Sequence, residues 1–116
     1  MVEICDGTWN TQPYKKHRKT QTSTNLQASM GIFNVTGFRK VLIWLRSATK
    51  DMTVQILGGM LNAASELRTI YPETTLALGK KLHFTVEEGW CFIDVKIKSN
   101  VAENAGDMYL EIIALR

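Results

Sequence analysis

The residues able to do chemistry in this chain are few and widely spaced. It has two histidines, His17 and His83, and two cysteines, Cys5 and Cys91. Nucleophilic catalysis by Ser or Cys needs a base, normally His, within hydrogen-bond reach. His17 lies inside the basic run Lys15-Lys16-His17-Arg18-Lys19, where neighbouring cations oppose a further positive charge. His83 sits on the polar side of one alternating segment and Cys91 on the apolar side of the next, so they point to opposite faces. Isolated Cys and His residues do not supply the close ligand pairs of a structural zinc site. Glu87-Glu88, Asp94, Glu103 and Asp107 are too scattered for a calcium loop and read as solvated edges and turns. Neither glycine-rich phosphate-loop pattern is present, and Gly58-Gly59 reads as a turn. The expectation is a protein that is not an enzyme and that carries no metal or cofactor.

Binding is the remaining chemistry. The run Lys15 to Lys19 could meet phosphates, an acidic protein surface or water. A nucleic-acid binder carries its basicity over the whole body with aromatics interleaved, so solvation or docking on protein is the better reading. Two tryptophans stand out as interface or ligand candidates. Trp90 follows Gly89 at the start of a strand, and Trp44 is flanked by Ile43 and Leu45 as a core or interface residue.

The elements that must position these residues are strands. Leu82, Phe84 and Val86 alternate with His83, Thr85 and Glu87. Cys91, Ile93, Val95 and Ile97 alternate with Phe92, Asp94, Lys96 and Lys98, and Met108, Leu110, Ile112 and Ala114 with Tyr109, Glu111, Ile113 and Leu115. A period of two places one side of each strand in a core and leaves the other largely solvated. Ile32 to Val35, Arg39 to Ser47, Met52 to Leu57 and Thr74 to Leu78 add further strands between turn signals. The segment Val41 to Leu45 is apolar on both faces, so it is central or covered. Residues 60–71 read as a loop or short helix, and Tyr71 before Pro72 as extended. About seven or eight short strands joined by turns predict an all-β fold, an antiparallel β-sandwich.

Residues 1–30 lack this periodicity, are rich in Thr, Gln, Asn and Ser, and hold +2 of the net charge of +3. They read as an extended basic arm ordered where it docks, with Ile4, Trp9 and Tyr14 as apolar anchors beside Lys15, Lys16, Arg18 and Lys19. Residues 31–116 read as the sandwich domain. A length of 116 residues suits one domain. The longest uninterrupted apolar run, Val41 to Leu45, is strand-sized, so no membrane helix is expected. Residues 1–10 carry Glu3 and Asp6 and no basic residue, which does not match a signal peptide. Synthesis in a cytoplasm follows as the expectation, and with it two free thiols.

The strand order and turn placement of the body carry a resemblance. Asn34 to Val41, Thr53 to Ile56 before Gly58-Gly59, Thr75 to Gly79, Phe92 to Ile97 and Met108 to Ile113 are its landmarks. Together they resemble the small, jelly-roll-like β-sandwich head decoration, or cement, proteins of tailed bacteriophages. The resemblance implies a non-enzymatic virion protein, often a homotrimer, that clamps major capsid protein or other virion subunits through a terminal arm. Two other readings stand beside it. One is a carbohydrate-binding sandwich that uses Trp90; the other is a small nucleic-acid-binding or host-directed protein that uses the basic run.

Overall fold

The structure, a computed structural model, describes residues 14–23, 28–99 and 106–116. Eight strands run in chain order as β1 (Tyr14–Ser23), β2 (Ala28–Asn34), β3 (Lys40–Ser47), β4 (Met52–Gly59), β5 (Arg68–Leu76), β6 (Lys81–Val86), β7 (Phe92–Ser99) and β8 (Gly106–Leu115), with a short 3₁₀ turn at Ala64–Glu66. They form two four-stranded sheets, ordered β1-β8-β3-β6 and β2-β7-β4-β5. All the pairings are antiparallel. The pairs β1 with β8, β2 with β7, β3 with β6 and β4 with β5 are nested, as if one long hairpin had been rolled over itself. That arrangement is the eight-stranded jelly roll.

Alternation explains why these segments pair as they do. Val41, Ile43 and Leu45 of β3 face inward and meet Met108, Leu110, Ile112 and Ala114 of β8. Met52, Val54 and Ile56 of β4 and Ile93, Val95 and Ile97 of β7 supply the facing layer, all at most 1% exposed. A one-residue slip in any of these strands would turn its whole apolar set to water, so the core fixes the register. The strand β3 is central in its sheet, and its outward Leu42 and Trp44 are half-buried, in line with its two apolar faces.

The proposed boundary between arm and sandwich does not survive. Tyr14–Ser23, read from sequence as arm, is the edge strand β1, paired with β8 over its full length from Tyr14↔Leu115 to Ser23↔Gly106. Ala28–Asn34 is likewise an edge strand, β2, so the sandwich includes residues on both sides of position 30. Edge strands face a partner on one side only, and a run of cations is a common protection for such an edge. The strand at Thr74 also starts earlier, at Arg68, and holds Pro72, which an edge strand tolerates.

One bulge shapes the first edge of the second sheet. The register of β2 shifts between Ser29 and Ile32, where Gly31 has φ of 106°, a conformation that costs glycine little. At the far end of β4 the backbone is approached closely. A Cβ on Gly58 would lie 2.8 Å from Cγ of Trp90, whose ring covers that point of the strand.

Candidate functional site: the outer face of the first sheet

Residues directly opposite in antiparallel strands share a face, so the registers assemble the outer surface of the β1-β8-β3-β6 sheet row by row. Lys16, Ile113, Leu42 and Thr85 form one row. Arg18, Glu111, Trp44 and His83 form the next. Thr20, Tyr109, Arg46 and Lys81 form a third. Tyr14 and Lys40 flank Leu115 at one end of the face.

The centre of this face is aromatic and the surround is cationic. Trp44 meets Tyr109 edge-on with ring centroids 5.3 Å apart, and His83 edge-on at 6.1 Å. The Arg46 guanidinium lies over the Tyr109 ring at 5.8 Å, and the Lys81 ammonium over the Trp44 ring at 5.7 Å. Glu111 is shared by two cations: Arg18 Nε donates to its Oε2 at 3.1 Å, and Lys16 Nζ lies 3.4 Å from Oε1. Between Trp44, His83, Thr85, Leu42, Glu111 and Ile113 the surface dips into a mainly apolar depression of about 240 Å³. Tyr14 is 59% exposed at the end of the face.

The residues singled out from sequence therefore separate. Strand alternation sends Lys16 and Arg18 of the basic run outward beside Tyr14, and the pairing of β3 with β8 brings Trp44 to the same face. Lys15 lies in β1 opposite Ala114. Lys19 projects the other way, where its Nζ donates to the Met30 carbonyl at 2.7 Å and ties β1 to β2. Its neighbour His17 stacks at a tilt on Phe33, with centroids 4.9 Å apart. Trp90 is half-buried against the core, and its Nε1 is buried without a hydrogen-bond partner. Ile4 and Trp9 lie outside the described residues.

Two features escaped the sequence reading. Asp94, expected at a solvated edge, is 2% exposed although alternation turns it outward from the core, and Leu57 and Phe92 on the same outward register are also buried. Ser29 Oγ donates to Asp94 Oδ1 at 2.5 Å. Burial raises the carboxyl above its usual value, against the lowering effects of Ser29, Lys96 and the Val95 backbone. Nothing in the alternation marks this, because Asp94 shares its outward register with Lys96 and Lys98 of the same strand. The second feature is Cys91, which is fully buried and disulfide-bonded, so the expected free thiol is corrected. The other cysteine of the chain, Cys5, lies outside the described residues.

Among the described residues no group of three His, Cys, Asp or Glu side chains is placed to hold a metal ion, and no helix is long and apolar enough to cross a membrane. The polar side chains that border the depression are His83, Thr85 and Glu111. What the face offers is apolar contact and positive charge.

No protein-family model matches the chain, and no curated protein matches it in sequence. Solved structures do match its fold. A protein of Bacillus endospore appendages, described as a family of disulfide-linked pili, superposes with a TM-score of 0.58 at 19% identity, over 88% of this chain and 86% of the other. The SPBc2 prophage-derived protein YomS superposes with a TM-score of 0.59 at 10% identity, over 94% of this chain and 100% of its own. The Yersinia pseudotuberculosis-derived mitogen gives a TM-score of 0.54 at 16% identity, over 88% and 86% of the two chains. At these identities the likeness is one of fold: an all-β, eight-stranded sandwich.

Proposed function

We propose that this protein is a non-enzymatic structural subunit of a virion or a surface appendage, and within that class a protein that decorates and stabilises a phage capsid. The observation that carries the reading is the outer face of the first sheet. Trp44, Tyr109, Arg46 and Arg18 are the residue types that dominate the centres of protein interfaces. Here they are gathered on one outer face of the sandwich, around a shallow depression. The likeness in fold to a prophage-derived protein and to a pilus subunit, each spanning nearly the whole chain, supports the class.

In this reading function is adhesion. The two packed sheets supply rigidity, and the outer face of the first sheet contacts neighbouring subunits, whether further copies of this chain in a trimer or major capsid protein. Many copies on one particle add their affinities, so each contact can be weak.

Density-gradient sedimentation of lysate from the native source tests it, with this chain probed across the gradient. Travel with large particles supports a particle subunit, and confinement to the top fractions removes the reading. A non-reducing gel of the particle fraction then separates its two branches. A ladder of covalent multimers that collapses on reduction marks a disulfide-linked appendage, whereas a single monomer band fits capsid decoration.

A further inference from the structure

We propose that the outer face of the β1-β8-β3-β6 sheet docks an acidic protein surface that offers one bulky apolar side chain flanked by carboxylates. The inference deepens the structural-subunit reading and rests on it. It names the contact face and the chemistry of what the face contacts.

The shape sets the apolar part. Pockets for drug-sized ligands run from about 300 to 1,000 Å³. The depression between Leu42, Trp44, Thr85 and Ile113 is about 240 Å³ and open to one side. It suits a single anchoring side chain pressed into a sheet surface, the arrangement in which interface energy concentrates.

The charge sets the rest. Lys16, Arg18, Lys40, Arg46 and Lys81 surround the depression on the same face. The carboxylates facing them are engaged. Glu111 is divided between Lys16 and Arg18, and Asp107 accepts from the Thr22 hydroxyl. The Lys40 pair with Glu87 is long, at 4.0 Å, and exposed. The face therefore keeps a positive excess that carboxylates on a partner would neutralise. Two copies meeting face to face by a two-fold axis would set these cations against each other, which disfavours symmetric self-pairing through this surface.

The aromatic geometry argues against nucleic acid. Single-stranded nucleic acid stacks its bases on open ring faces. Here Arg46 covers a face of Tyr109 and Lys81 a face of Trp44, while the tryptophan meets its aromatic neighbours by edges. Trp44 is also half-buried in the sheet, so it does not stand out as a membrane-inserting side chain would.

The test is an amide and indole NMR titration of the full chain. The probe is a blocked pentapeptide of Glu, Asp, Trp, Asp and Glu in that order. The controls are the same peptide with Lys at its four acidic positions, an oligothymidylate, and phosphatidylserine vesicles. Expected are shifts at Leu42, Trp44, Tyr109 and Ile113 with the acidic peptide alone. Affinity should fall roughly tenfold in Arg46→Glu/Lys81→Glu, and weaken again as salt rises to about 0.5 M. A second variant, Lys16→Gln/Arg18→Gln, removes charge at the opposite side of the face and should weaken binding without creating repulsion. Unchanged spectra, shifts confined to the other sheet, equal binding of the lysine peptide, or preferential binding of the oligonucleotide or vesicles would each overturn the proposal. The particle assay keeps the two claims apart. If Arg46→Glu/Lys81→Glu still sediments with particles, this face is not the contact although the subunit reading stands. If the unaltered chain never sediments, the subunit reading itself fails.

Discussion

Ser29 Oγ donates a hydrogen bond of 2.5 Å to Asp94 Oδ1, joining the bulged edge strand β2 to the buried carboxyl of β7. The two residues are 65 positions apart, and Gly31 N donates to the same Ser29 hydroxyl at 3.0 Å. The bulge thus places a hydroxyl where the carboxyl needs one. Desolvation is the larger effect on Asp94, and its pKa is raised from 3.8.

A raised acid pKa means that the folded state holds a proton more tightly than the unfolded state does. Between the ordinary value of 3.8 and the raised one, the native protein binds more protons, so stability falls as pH rises through that window. Above the window the full penalty of the buried charge remains. Asp94→Asn keeps an acceptor for Ser29 and removes the charge. It should be more stable than the unaltered protein at neutral pH and lose that advantage near pH 3.8 and below. Ser29→Ala should act in the opposite sense, destabilising at neutral pH and widening the window. Urea denaturation across a pH series reads both; parallel curves for Asp94→Asn and the unaltered chain would show that the carboxyl is not desolvated.

Gly58 and Trp90 should behave as one unit. A methyl group at Gly58 would overlap the indole, its Cβ lying 2.8 Å from Trp90 Cγ. Gly58→Ala is expected to cost about 1–3 kcal/mol through forced displacement of the ring. Trp90→Ala removes a half-buried ring from the core edge and should cost about 3 kcal/mol. In the Trp90→Ala background the added methyl has room, so the double variant should be much more stable than the two single losses predict. A thermodynamic cycle measures this coupling, and strict additivity would contradict the contact.

The disulfide at Cys91 lies just before β7, where the Cys91 backbone also joins the end of β4 and the residue that follows β2. Cys91 N donates to the Gly59 carbonyl at 3.0 Å, and Val35 N donates to the Cys91 carbonyl at 2.8 Å. Losing the bond should destabilise the fold by about 2–5 kcal/mol. The check is the thermal midpoint with and without reductant, compared with Cys91→Ala under both conditions. The unaltered chain should shift and the variant should not.

Much of the fold was legible where one face of a strand is buried in the core. The alternation in β6, β7 and β8 follows directly from Phe84, Ile93, Ile112 and their neighbours. The strand β1 was not legible, because its inward positions are His17, Lys19 and Gln21, and no apolar period marks it. It is a strand because β8 offers it a ladder, a non-local cause that overrides composition. For the same reason the site was visible only in pieces. Tyr14, Lys16, Arg18 and Trp44 were all singled out, yet nothing local shows that β1 and β3 flank the same strand, β8. Alternation also gives the direction of a side chain and not what covers it, which is why Asp94 was misread as solvated.

Glu111 is the hinge of that convergence, and its contribution should be electrostatic. It is the carboxylate between Arg18 on one side and Trp44 on the other in a single row, with 20% side-chain exposure against 61% for Arg18. Replacing it with Gln leaves Lys16 and Arg18, two residues apart on one face of β1, repelling each other without a counter-charge. Exposed ion pairs contribute about 0.2–1 kcal/mol, and Glu111→Gln should cost an amount at the upper end of that range at low salt. The cost should shrink as salt rises to about 0.5 M, because both cations are solvent-facing and screened. Arg18→Ala in the Glu111→Gln background should then restore part of the lost stability by relieving the repulsion. Urea midpoints at low and high salt decide it: a loss independent of salt would point to packing of the Glu111 stem beside Trp44 in place of charge.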